Sequence, residues 1–185
     1  MIEEAEQMAD QVGLSNLTLA ALAERLGVRQ PSLYKHITGI SGLQRSIAVR
    51  AKNQLAATLS RATVGRARND AVISLSHAYR TWAREHPGRY AAAQWIPTPG
   101  DTEAEAADWA SVEIVGVILA GYHLDGDDAI DATRALRASL HGFVTLEGSF
   151  AHPASIDRSF DRLVQGLATA LANWSDQTDT TATTR

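Results

Sequence analysis

Apolar residues recur along this chain at helical spacing almost from end to end. Ile2, Ala5, Ala9 and Val12 share one face of a first helix, which Gly13 ends. Thr18 reads as the N-cap of a second helix with Leu19, Leu22, Ala23 and Leu26 in its stripe, and Gly27 closes it. A short third helix opens near Gln30, with Pro31 in the first turn, where its missing N–H costs nothing. Ser41 is expected to cap a fourth helix carrying Leu43, Ile47, Ala51, Leu55 and Leu59.

The pattern continues through NDAVISLSHAYRTWAREHPG, which a His-Pro-Gly sequence stops, and through a short RYAAAQWI helix. PTPGD, from Pro97 to Asp101, is the strongest turn signal in the chain. The next segment, from Asp101 to about Leu124, carries acids in its first turn as the helix dipole prefers. Its β-branched middle is strand-like, but an Ala-rich lead-in without a breaker favours helix. Asp125 to Asp128 form a turn and cap for a helix near Ala129 to Phe150. The last helix aligns Ile156, Phe160, Leu163, Leu167, Leu171 and Trp174. The expected fold is all-α with about nine helices, followed by a Thr- and Asp-rich tail at 176–185 that reads as disordered.

Composition narrows the class. There is no cysteine, which excludes disulfides and thiolate metal sites. The N-terminal MIEEAEQMAD is acidic and amphipathic, unlike a secretory signal, and no apolar run is long enough to span a bilayer. A cytoplasmic protein without membrane contact is expected. No pair among the six histidines has the spacing of a helical metal site, and no phosphate-binding, dinucleotide or nucleophile-elbow motif occurs. No enzyme, metal or cofactor is expected.

Charge changes the picture more. Residues 1–100 hold 12 Lys/Arg against 7 Asp/Glu, whereas residues 101–185 hold 5 against 14. Between Leu14 and Arg68 nine bases accompany one acid, Glu24. A basic block suits nucleic-acid contact, although charge alone fits a solvated helix face equally well. The second and third helices, joined through Gly27, have the form of a helix-turn-helix unit, whose second helix lies in the major groove. With Leu33 and Ile37 turned inward, Arg29, Gln30, Ser32, Lys35 and His36 point outward and Tyr34 lies on the flank. Arg suits guanine and Gln suits adenine, while Pro31 or Ser32 suits a thymine methyl. Lys, Tyr and His suit phosphate oxygens. Thr18, at the head of the second helix, joins this set. The alternative is a solvent-facing helix with Tyr34 half-buried.

The segment LTLAALAERLGVRQPSLYKHITGISGL, Leu17 to Leu43, resembles the DNA-binding domain of the TetR family of bacterial transcriptional repressors. The resemblance implies a homodimer on a near-palindromic double-stranded operator. It also implies a C-terminal helical domain that binds a small-molecule effector and releases the DNA. On this basis residues 1–46 form the helix-turn-helix domain and 47–175 the ligand-binding and dimerisation domain. SLHGFVTLE, Ser139 to Glu147, is similar to the His-Gly segment of the subgroup named for Trp, His and Gly, but no Trp lies in Ala129 to Leu140. Three departures bear on DNA affinity: Leu19 to Ala21 contain no base-reaching Arg, Ile40 stands where a phosphate-holding Lys is usual, and no basic arm precedes the first helix.

Tyr79, Trp82, Trp95, Trp109, Tyr122, His141 and Phe143 are the candidates to line an apolar or aromatic effector pocket, although core filling explains any one of them as simply. Gly142 beside His141 suggests a close approach by backbone or ligand. Leu140, Phe160, Leu163, Leu167 and Leu171 are the candidate dimer surface, where two helices from each chain would close a four-helix bundle. The rival to the regulator is a helical adaptor that binds a protein through the acidic C-terminal half.

Overall fold

Eight of the nine helices expected from the apolar spacing form as α-helices in the computed structural model, which describes residues 1–174. The eight α-helices are α1 (Ile2–Val12), α2 (Leu19–Arg25), α3 (Gly39–Thr63), α4 (Arg68–Glu85), α5 (Pro87–Ala93), α6 (Thr102–Ala120), α7 (Gly126–Leu146) and α8 (Ile156–Ala172). A 3₁₀ segment, Gln30–Lys35, stands where the third helix was expected, and no strand occurs among the described residues. The strand-like middle of α6 is helical throughout. Two boundaries move: α3 begins at Gly39, so Ser41 lies inside its first turn and is not a cap, and α7 begins at Gly126 behind Asp125. The expected tail at 176–185 lies outside the described residues.

The chain divides into two compact units, one of residues 1–56 and 82–111, the other of 57–81 and 112 onward. Helices α3, α4 and α6 each contribute residues to both.

The first unit folds around Ala5, Met8, Leu19, Leu22, Leu33, Ile37, Leu43 and Ile47, all buried. Helices α1 and α5 approach so closely that a Cβ on Gly88 would lie 2.0 Å from the Ala9 carbonyl oxygen. Only glycine permits that contact. Asp10 reinforces it by accepting from the Arg89 backbone N–H at 2.8 Å and from Arg89 Nε at 2.7 Å. The guanidinium also lies 2.6 Å from His86 Nδ1.

Helix α3 is tied to its surroundings by cations. Arg50 donates to both oxygens of Glu6, a carboxylate buried in α1. Arg45 forks onto Asp101 and reaches Glu103, at the start of α6. The buried Lys52 ammonium donates to the Trp95 carbonyl at 2.7 Å and pairs with Asp108. Arg45 and Lys52 are seven residues apart, as are Asp101 and Asp108, so two turns of α3 face two turns of α6 in register. The hydrogen bond from Arg45 holds the Asp101 carboxyl below its usual range.

In the second unit Arg80 is the buried cation. Its guanidinium lies 4.8 Å from the Phe160 ring centre and 5.6 Å from that of Phe143. It donates to Glu147 at 2.7 Å and pairs with Asp157 at 2.8 Å, joining α4 to the end of α7 and the start of α8. The Tyr122 hydroxyl donates to Asn69 Oδ1 at 2.8 Å, and burial pushes its phenol up to about 12.

Gly88→Ala is expected to force α1 and α5 apart and to lower stability by about 1–3 kcal/mol. Gly142→Ala, where a Cβ meets nothing within 4 Å, is expected to be neutral or to stabilise by about 0.5–1 kcal/mol. Denaturant unfolding of the two variants checks the contrast.

Asp101 adds a pH dependence of defined sign. Because its folded value is depressed, its contribution is complete above the ordinary carboxylate value of 3.8 and disappears as pH falls through the folded value. The difference in melting temperature between wild type and Asp101→Asn is therefore expected to be constant above about pH 5 and to narrow as acid is added. A difference that stays constant into strong acid contradicts the pairing.

Candidate nucleic-acid interface

The Thr18 hydroxyl oxygen accepts from the Ala21 N–H at 3.2 Å and starts α2. The chain then reverses over Gly27, whose φ of +66° is a left-handed conformation suited to glycine. Gly27 N–H donates to Glu24 and Val28 N–H to Ala23, closing the helix end. Arg29 is extended as the N-cap of the next segment. The 3₁₀ segment then begins at Gln30 with Pro31 in its first turn, and the Ser32 N–H returns to the Arg29 carbonyl. The expected short helix is thus a tighter coil, closed at its far end by the His36 and Ile37 N–H groups, both donating to the Leu33 carbonyl.

Two apolar anchors hold this segment down. Leu33 and Ile37 are buried in the same core as Leu22 and Leu43. All seven remaining candidates there (Arg29, Gln30, Pro31, Ser32, Tyr34, Lys35 and His36) are exposed. Tyr34 is 56% exposed, which sets aside the half-buried alternative. Thr18 is exposed too, and its cap uses the oxygen as acceptor while leaving the hydroxyl proton to donate elsewhere.

Three-dimensional pairing redistributes the basic block. Of the six cations between Leu14 and Ala56, Arg25 pairs with Glu4, Arg45 with Asp101 and Glu103, Arg50 with Glu6, and Lys52 with Asp108. Arg29 and Lys35 have no acidic partner among the described residues. Both are on or beside the 3₁₀ segment. Within Leu14–Ala56 the unneutralised positive charge therefore lies on the surface that carries the candidate base-reading side chains. The sequence window missed this because the acids that quench α3 come from α1 and from beyond residue 100.

The other candidates scatter. Trp82 is buried against His86, Trp95 is half-buried and Trp109 is 62% exposed, all three in the first unit. Tyr79 and Tyr122 are buried and His141 and Phe143 half-buried in the second, with Phe143 stacked in the Arg80 cluster. Gly142 faces open space, so the close approach expected there is not made by the described chain. Leu140, Phe160 and Leu171, expected at a dimer surface, are instead covered by their own chain, at 2%, 0% and 3% exposure. The register of α8 explains the shift, because Phe160, Val164, Ala168 and Leu171 form its buried stripe and leave Leu163 and Leu167 half-buried beside it. Among the described residues no cluster of His, Asp and Glu has the makings of a metal site, and no helix is long and apolar enough to cross a membrane.

Comparison with known proteins agrees with this geometry. Residues 1–43 match the family model for bacterial regulatory proteins of the tetR family, and residues 72–167 match that for a tetracyclin repressor-like C-terminal domain. The chain is 40% identical to the uncharacterized HTH-type transcriptional regulator Rv0681 of Mycobacterium tuberculosis, over 80% of this chain and 68% of that one. It is 35% identical to the uncharacterized HTH-type transcriptional regulator YobS of Bacillus subtilis, over 79% and 76%. Among solved structures, a TetR variant from Acinetobacter baumannii AYE in complex with minocycline has the same fold. Its TM-score is 0.70 at 22% identity, covering 94% of each chain. BioQ of Mycobacterium smegmatis gives 0.68 at 21% identity, covering 92% of this chain and 95% of that one. The two curated relatives are named as transcriptional regulators, not enzymes, and the chain belongs to the TetR family of helix-turn-helix transcriptional regulators.

Proposed function

We propose that the protein is a ligand-responsive repressor that binds a near-palindromic operator as a homodimer. The observation that carries the DNA reading is the coincidence of Arg29 and Lys35, the cations left without acids, with exposed Gln30, Ser32, Tyr34 and His36 on one anchored segment. In this reading residues 1–46 are the DNA-binding domain, Gln30 reads a base edge, and Lys35, Tyr34 and His36 hold phosphates. The two recognition segments of the dimer must then stand about one DNA turn apart, roughly 34–36 Å.

Leu163 and Leu167 on α8 support the dimer. They are half-buried next to Gly166, where a Cβ would meet nothing within 4 Å, so a second helix has room to approach closely. The effector reading rests on the aromatic content of the residues 47–175 domain and on the fold. A TetR protein of this fold holds minocycline, and a lipophilic or aromatic effector is the corresponding class here. Such a compound releases DNA only through its difference in affinity between the two states. A coupling of about 1–3 kcal/mol weakens operator binding roughly 5–150-fold, and operator must weaken effector binding by the same factor.

With two cations free of acids on or beside each candidate recognition segment, a dimer is expected to neutralise about four phosphates through them, giving a slope of about −4 in log affinity against log salt. Lys35→Ala is expected to flatten that slope, by about one for each segment. Arg45→Gln is expected to leave the slope unchanged, because Arg45 is neutralised internally. Gln30→Ala should cost roughly 1–3 kcal/mol at one base position of each half-site. Titrations of operator fragments at several salt concentrations measure all three. A Lys35→Ala protein with the wild-type slope rejects the recognition segment.

Leu163→Asp or Leu167→Asp is expected to give monomers in sedimentation while helical content is retained. Wild-type protein that is already monomeric at micromolar concentration rejects the dimer.

A further inference from the structure

The first unit contains a cavity of about 570 Å³ between the C-terminal end of α1, the turn after it, α3 and α5. This volume falls within the range of small-molecule sites, about 300–1,000 Å³. We propose that this cavity is a second small-molecule site, within the first unit, and that it takes a small, neutral, planar aromatic compound carrying one hydrogen-bonding group.

Three features make the cavity a formed site. Its floor is the α1–α5 contact at Gly88, where no side chain fits, so helix movement does not readily close it. Trp95 forms an aromatic wall, and its position is fixed because the Lys52 ammonium grips its backbone carbonyl at 2.7 Å. The half-buried Gln44 amide lines the cavity without a hydrogen-bond partner among the described residues. An amide offers both a donor and an acceptor, so a hydroxyl or ring N–H on the ligand satisfies it.

Charge excludes the alternatives. The one acid on the lining, Asp10, is bound through both oxygens by Arg89. No free charge therefore faces the cavity, and neither an anion nor a cation finds a counter-ion there. A neutral ring is left, stacked on Trp95 and bonded to Gln44.

The site shares only Trp95 with the effector candidates named from the sequence. Its lining residues lie within 9–15, at Gln44 and within 87–95, and none belongs to the second unit. The test uses full-length protein labelled with ¹⁵N and two probes, 2-naphthol, neutral at pH 7, and 2-naphthoate, its anionic counterpart. With 2-naphthol, the Gln44 side-chain amide and the Gly13, Gly88 and Ala92 backbone amides are expected to shift together and saturate in the sub-millimolar range. 2-Naphthoate should bind at least tenfold more weakly. Ala91→Phe, on the exposed side of the lining, fills the space and should weaken 2-naphthol binding at least tenfold. Gln44→Leu keeps the volume and should weaken it severalfold. Circular dichroism confirms that each variant is folded, and a misfolded Ala91→Phe leaves Gln44→Leu to decide. Saturable shifts confined to the second unit, equal binding of the two probes, or unchanged affinity in Gln44→Leu each overturn the proposal.

Discussion

The first unit depends on how α3 is neutralised. A helix carrying Arg45, Arg50 and Lys52 within eight residues repels itself and attracts any polyanion, unless acids are brought to it. Glu6 arrives from α1, and Asp101, Glu103 and Asp108 arrive from the head of α6. Lys52 is the most demanding member. A buried ammonium that loses its carboxylate is stranded, at a cost of about 3–5 kcal/mol, so the α3–α6 register is strongly specified. Arg45 and Arg50 are closer to the surface and add less.

This arrangement reinterprets the charge asymmetry of the chain. An acidic second half looks, in sequence, like a surface for a separate partner. In the structure the first acids of that half are the counter-ions of the basic half, and Asp157 and Glu147 serve Arg80 in the same way. Counting charges along the chain overstates both the positive face and the negative one. Between Leu14 and Ala56 the cations without acids, Arg29 and Lys35, lie on or beside a short segment whose other side is filled by Leu33 and Ile37.

Helix positions and the inward residues of the helix-turn-helix were legible because each rests on a local signal: a cap at Thr18, a glycine reversal at Gly27, a proline at the first turn, and apolar spacing. The dimer residues were less legible. Ile156, Phe160, Leu163, Leu167 and Leu171 fit one broad stripe, and spacing alone does not divide the half covered by the same chain from the half at its edge. Val164 and Ala168, small and easily overlooked, show which side is buried. The aromatic set failed to converge for a related reason. Trp and Tyr fill core, edge stacks and exposed faces alike, so composition gives no position.

Gly88 was invisible for the opposite reason, since HPG reads as a helix stop. The proline does end α4, but it also starts α5 at once, and the glycine that follows is there because α1 leaves no room for a Cβ. One tripeptide thus turns the chain, starts a helix and sets a helix–helix contact in the first unit that only glycine permits. Asp10 adds the directional part by receiving the Arg89 N–H near the head of α5, where the helix dipole favours a carboxylate. The contact is short, glycine-dependent and charge-locked, so α1 and α5 respond to a perturbation as one body. Moving α5 away from α1 would break the Asp10–Arg89 pair and open the Gly88 contact, beside the core that seats Leu33 and Ile37.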